Sequence, residues 1–200
     1  TNTGNVPLTT PVVTGLPVSR AVVRRYVPGA GQDAVIEATR AILASGRAIS
    51  IDHLGEDTSD PAQAEATVQA YLELLAAFGR LDAPRDGAVP PLEVSLKLSA
   101  LGQFIPEVGH DLALTNARRI CRAAENVGAW VNVDAEDHTT TDSTLAIVEE
   151  LRMDHPDVAT VLQAYLRRTE ADCRALARRG SRIRLCKGAY AEPADVAFQQ

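Results

Sequence analysis

The order of apolar runs constrains this chain most. Short runs rich in Val, Ile and Leu alternate without exception with longer amphipathic stretches. The runs at 92–102, 129–138, 158–166 and 183–190 read as strands, and 48–56 as a strand followed by a polar loop. The stretches at 60–79, 111–128, 140–156 and 168–180 read as helices, and 192–200 begins another. The punctuation agrees: Asp60 is placed as an N-cap before Pro61, Pro156 breaks a helix, and Gly128 and Gly180 stop two more. Upstream, 31–46 reads as a helix with Val35, Ile36, Ile42 and Leu43 on one face, Thr39 between the pairs and Gly46 as its stop. Residues 19–27 read as a short amphipathic helix, and 1–18 as a flexible leader. Strict alternation of strand and helix implies a parallel sheet with right-handed crossovers.

Two parallel architectures compete, and the strand ends choose between them. Asp52, Lys97, Asp134, Gln163, Arg184 and Lys187 stand near the C-terminal ends of the successive apolar runs. A (β/α)₈ barrel keeps its active site at that face. A doubly wound sheet puts its ligand at one switch point and leaves the other polar ends without a purpose. The expectation is therefore a TIM-like α/β barrel, with 19–200 forming the N-terminal portion of a single domain. A complete barrel takes about 250 residues, so this chain should hold about five of the eight βα units.

Composition removes several function classes. The net charge is −6, which gives no basic footprint for nucleic acid. Cys121, Cys173 and Cys186 are scattered, with no CxxC pair, so a disulfide framework is not expected and a reducing cytosol is the default. No apolar run approaches the roughly 18 residues of a membrane span. The N-terminus has no charged region followed by an apolar one, so it does not read as a signal peptide. It also lacks a starting Met, the mark expected of a trimmed chain.

The chemistry concentrates in four segments. In "LEVSLKLSALG", Lys97 sits at the apolar end of a strand, where an unpaired ammonium is costly. It suits an ion pair, a clamp for a substrate carboxylate or a Schiff-base lysine. In "WVNVDAEDH", period-two alternation puts Asn132, Asp134 and Glu136 on one face. Without HxH or HExxH spacing a metal site is not expected; Asp134 should point into the barrel mouth while the later acids cap the next helix. Gln163 is either a core amide or a donor–acceptor pair suited to a flat heterocycle. In "RIRLCKGAY", Arg184 faces either the lumen or the apolar helix layer, and the lumen is the better home for a permanent cation. Gly188 and Ala189 lack bulk, so a ligand could approach the backbone, and Tyr190 supplies a flat face.

Taken together and in this order, "SLKLSALG", "VNVDAEDH", "VLQAYLRRT" and "RLCKGAYAEP" resemble the catalytic domain of proline dehydrogenase, over about residues 35–200. The likeness is to the short, monofunctional bacterial form. The resemblance implies a distorted barrel binding FAD noncovalently and oxidising L-proline to Δ1-pyrroline-5-carboxylate by hydride transfer to flavin N5. It further implies electrons passed to a membrane quinone, a cytoplasmic protein that is peripheral at the inner membrane face, and no metal, and it is compatible with a homo-oligomer. By the same resemblance, Asp134 and Arg184 are catalytic, and Lys97 and Tyr190 bind substrate. Ala135, Gln163, Arg184, Lys187, Gly188 and Ala189 would contact the flavin. The family more often carries Val where this chain has Cys186; a buried Cys is a small hydrophobe, so no functional change is expected. The family's adenine site and its arginine pair for the proline carboxylate would lie in units beyond Gln200. Two rival readings are a class I aldolase using Lys97 or Lys187, and a non-catalytic binding module.

Overall fold

The structure is a computed structural model that describes residues 31–55, 57–81 and 90–199. The leader and the helix expected at 19–27 lie outside the described residues. The chain divides into two units, Thr1–Arg47 and Ala48–Gln200.

In the first unit, α1 (Gln32–Ala44) matches the expected stretch. Val35, Ile36, Ile42 and Leu43 are half-buried, and Thr39 between them is buried. The Thr39 hydroxyl donates back to the Val35 carbonyl at 2.8 Å. Gly46, with φ +75°, follows the last turn as the predicted stop.

The second unit alternates β1 (Ile49–Asp52), α2 (Pro61–Phe78), β2 (Leu92–Leu96), α3 (Gly109–Val127), β3 (Trp130–Val133), α4 (Thr141–Asp154), β4 (Ala159–Gln163), α5 (Thr169–Arg178) and β5 (Ile183–Cys186). The strands form one sheet in the order β1-β2-β3-β4-β5, every neighbour parallel. Sequential order with no reversal is barrel topology; a doubly wound sheet has a switch point. This gives Asp52, Lys97, Asp134, Gln163 and Arg184 a common end of the sheet.

Register divides the sheet into two chemical faces. Ile51, Val94 and Val131 lie across from one another, as do Leu96, Val133, Thr160 and Ile183. Leu92, Val94, Leu96, Val131, Val133 and Leu162 are buried on this side with the helices' apolar stripes. α2 contributes Val68, Tyr71, Leu75 and Phe78, and α3 contributes Ala117, Ile120 and Ala124. Local signals set the helix ends. Asp60 accepts from the Ala62 amide at 2.9 Å, with Pro61 in the first turn. Gly128, at φ +67°, closes α3.

Every strand ends before the run predicted for it does. β2 stops at Leu96, and a 3₁₀ turn occupies Ser99–Leu101. β3 stops at Val133, and the Asp134 amide then donates to the Leu96 carbonyl at 2.8 Å. β5 stops at Cys186. The helix expected at 192–200 is a single turn: the Val196 and Ala197 amides both donate to the Pro193 carbonyl. The backbone beyond it is taken up elsewhere. Leu166 and Ala197 form an antiparallel bridge, Arg167 N donates to Val196 O at 2.9 Å, and Phe198 N donates to Tyr165 O at 2.8 Å. Among the described residues, no helix is long and apolar enough to cross a membrane.

Candidate functional site

The opposite face of the sheet carries polar residues on β1, β2, β3 and β5, and on β4 at Gln163, after Ala159 and Val161. Ser50 and Asp52 on β1 align with Glu93 and Ser95 on β2, and Ser95 aligns with Asn132 on β3. Arg184 aligns with Val161, two positions before Gln163. Parallel register places these residues on one face. The helix-layer alternative for Arg184 is therefore excluded: its guanidinium lies over this polar face.

Asp134 is the hub. One oxygen, Oδ1, accepts from Arg184 in a short contact, from the Ser95 hydroxyl at 2.7 Å and from Asn132 Nδ2 at 3.3 Å. Arg184 also donates to Ser95 Oγ at 3.0 Å, and its other arm stands 3.9 Å from Glu93. The Arg184 side chain is 43% exposed and Asp134 17%, so the pair sits at the rim with the cation toward solvent. Burial pushes the Asp134 carboxyl above the usual range, while Arg184, the Ser95 hydroxyl and Lys97 pull it down.

Lys97 is 4% exposed. It lies within electrostatic reach of both Asp134 and Glu136. Glu136 is also buried; it accepts from the Ser99 amide at 3.1 Å and, in a shorter contact, from the Ser99 hydroxyl. This corrects the expectation that the acids after Asp134 cap the next helix. Asp137 does cap, accepting from the Thr139 amide at 2.8 Å, while Glu136 holds the Ser99–Leu101 turn that follows Lys97. His138 turns to Glu192. The four acidic and imidazole groups of "DAEDH" thus serve different partners. Among the described residues, no three metal-ligating side chains converge.

Gln163 ends β4 and is 3% exposed. Its main-chain carbonyl accepts from Thr169 Oγ1 at 2.6 Å, which starts α5. Its side-chain oxygen is buried and accepts no hydrogen bond from the described residues. A buried acceptor of this kind is uncommon and suits a ligand N–H.

The turn after β5 wraps Tyr165. Ala164 N and Tyr165 N donate to the carbonyls of Cys186 and Lys187, at 2.8 and 3.1 Å. The Tyr165 hydroxyl donates to the Tyr190 carbonyl at 3.3 Å. Gly188 has φ +108°, and a methyl there would meet the Tyr165 ring at 2.2 Å. The missing side chain at Gly188 therefore makes room for an aromatic of the same chain. Lys187 and Ala189 are exposed, and Tyr190 and Ala135 are half-buried.

The sequence reading omitted Glu93, Ser95, Asn132 and Tyr71 from the site. The first three had a signal: alternation through "LEVSLK" and "WVNVD" places them with Lys97 and Asp134. Tyr71 had none. Its hydroxyl accepts from the His53 amide at 3.0 Å and donates to the Ser95 carbonyl at 2.6 Å, tying the end of β1 to β2.

Comparison with known proteins addresses the same region. The family model for proline dehydrogenase matches residues 35–199. Over 178 residues the chain is 39% identical to the proline dehydrogenase of Deinococcus radiodurans, covering 87% of this chain and 54% of that one. Over 180 residues it is 31% identical to proline dehydrogenase 1 of Bacillus subtilis, covering 90% and 56%. The chain thus spans about half the length of these curated relatives. Its fold superposes on proline utilization A from Bdellovibrio bacteriovorus, inactivated by N-propargylglycine, with a TM-score of 0.74 at 24% identity. That match covers 86% of this chain and 21% of the other. The five-stranded parallel sheet is accordingly part of a TIM-like barrel, and the chain belongs to the proline dehydrogenase family.

Proposed function

We propose that this chain carries the flavin- and proline-binding groups of an FAD-dependent proline dehydrogenase. L-proline would be oxidised to Δ1-pyrroline-5-carboxylate, the first step of proline catabolism, with electrons passed on to a membrane quinone. A cytoplasmic protein, peripheral at the inner face of the membrane, would suit such an acceptor. One observation carries the reading. Two cations, Lys97 and Arg184, converge on Asp134 at the C-terminal strand ends, on the sheet face that also holds the unsatisfied carboxamide oxygen of Gln163.

FAD, when bound, would supply a two-electron acceptor for a hydride leaving the carbon beside the proline nitrogen. The protein's part is orientation and charge. Lys97, buried and backed by Asp134 and Glu136, binds the proline carboxylate as a fixed point charge. Arg184 stabilises negative charge where the flavin collects it. Asp134, itself held by Ser95 and Asn132, fixes the guanidinium rather than moving a proton. Gln163 offers its acceptor to a ring N–H. Ala135 and Lys187–Ala189 would supply main chain to the cofactor, and Tyr190 would face the proline ring. The aldolase reading gives no work to Arg184 or Gln163.

The test is optical. The full-length protein should carry flavin absorbance, or acquire it on adding FAD, and anaerobic L-proline should bleach it. A protein that stays colourless with FAD, or a bound flavin that L-proline leaves oxidised, would overturn the proposal. Borohydride trapping of a carbonyl substrate on a lysine would favour the aldolase instead.

A further inference from the structure

Glu192 behaves unlike its neighbours. Ala191, Pro193, Ala194 and Asp195 are exposed, yet the Glu192 side chain is 3% exposed. Its carboxylate accepts from the His138 amide at 2.9 Å and forms a short contact with His138 Nδ1. The Tyr165 hydroxyl, 3.5 Å away, completes the surroundings. A buried carboxylate is costly unless hydrogen-bonded, and the His138 amide and ring nitrogen supply those bonds. The three residues come from three loops: His138 follows β3, Tyr165 follows β4, and Glu192 follows β5.

The position of this cluster matters more than its energy. Residues 187–190 lie between β5 and Glu192, so the turn is fixed at both ends. Gly188 is seated against the Tyr165 ring, the Lys187 and Tyr190 carbonyls are bonded to Tyr165, and Glu192 is locked to His138. We infer that Glu192 and His138 are positioning residues: a carboxylate–imidazole clamp that sets the Lys187–Tyr190 turn against the loop after β3. The inference rests on the functional reading above, since that turn is where cofactor and substrate would be met. It assigns a role to two residues that need not touch either.

The experiment uses the full-length protein and the variants Glu192→Ala, Glu192→Gln and His138→Asn. A matched control is His155→Gln: His155 Nδ1 stands 2.7 Å from Glu125, a pair of the same chemistry ahead of β4, at the other ends of the strands. Glu192→Ala should weaken FAD binding and raise the KM for L-proline by about tenfold each, the effect of losing a hydrogen bond to a charged group. The kcat at saturation should stay within about threefold, because the groups at the reacting centre are untouched. Glu192→Gln and His138→Asn keep hydrogen-bonding groups and should fall between wild type and Glu192→Ala. His155→Gln should lower Tm and move neither constant.

A readout without flavin accompanies these. The His138 amide should be protected from hydrogen exchange in wild type and lose that protection in Glu192→Ala. Unchanged FAD affinity and KM in Glu192→Ala, or an equal change in His155→Gln, overturns the inference. If Glu192→Ala does not fold, Glu192→Gln decides by the same criteria. If wild type binds no FAD, the functional reading falls, and an unprotected His138 amide would remove the clamp as well.

Discussion

Asp134 is the hub of the strand-end cluster, and its environment pulls its carboxyl in two directions. Burial raises its pKa from the ordinary 3.8, and Arg184, Ser95 and Lys97 oppose that rise. Burial likewise raises Glu136 from 4.5, against two hydrogen bonds from Ser99. An acid whose folded pKa exceeds its unfolded value holds extra protons in the folded state. These two groups therefore favour folding most on the acid side, and that contribution is lost as pH rises through each raised pKa, from 3.8 upward for Asp134 and from 4.5 upward for Glu136. Glu136→Gln should flatten this fall, as read from urea midpoints across that window; an unchanged slope would deny Glu136 its part. Glu65 has the opposite sign. The hydrogen bond from Arg119, 2.6 Å away, lowers its pKa to about 2, so its contribution is present above 4.5 and lost as pH falls toward 2. Proton-coupled NMR should place the Glu65 midpoint near 2 and move it upward in Arg119→Ala. At this scale the sequence was most legible where a residue type conflicted with its place. A lysine at the end of an apolar run and an arginine inside one pointed to the site. Glu192 gave no such conflict, because its partners lie 27 and 54 positions away.

The elements were legible wherever a local signal ended them. Asp60–Pro61 and Gly128 fixed helix ends that the structure repeats. Strand ends were less legible, since apolar runs continue past the last ladder pair: Leu98 and Leu101 belong to a buried 3₁₀ turn, not to β2. The stretch at 192–200 has helical composition, but its backbone pairs with the loop after β4, a long-range preference that no local window contains. Two substitutions test how such loops are held. Tyr71→Phe removes the group that joins His53 N to Ser95 O and should cost about 1–3 kcal/mol by chemical denaturation. Gly188→Ala forces a methyl into the Tyr165 ring at φ +108° and should cost at least about 2 kcal/mol. A neutral result at Gly188 would mean the turn after β5 is not wrapped as described.

At the scale of the whole molecule, two periodicities explain the site. The alternation of strand with helix gives a parallel sheet in sequence order, so every strand presents the same end to one rim. The alternation within β1, β2 and β3 then places apolar residues toward the helices and polar ones on the opposite face, where Gln163 and Arg184 join them. Lys97, Asp134, Gln163 and Arg184 share one end of the sheet because both rules act together, though up to 87 positions separate them in the chain. That geometry could be read in advance. The pairing of Asp134 specifically with Arg184 could not, because register between β3 and β5 is fixed only through β4. The central claim is that this rim is a flavin site in which Arg184 handles developing negative charge. The most direct measurement is anaerobic stopped-flow reduction of the flavin by L-proline in wild type and in Arg184→Met, with the midpoint potential of each. Arg184→Met should fold, reduce about 10²-fold more slowly and do so at a lower potential. An equal rate with an unchanged potential would contradict the claim.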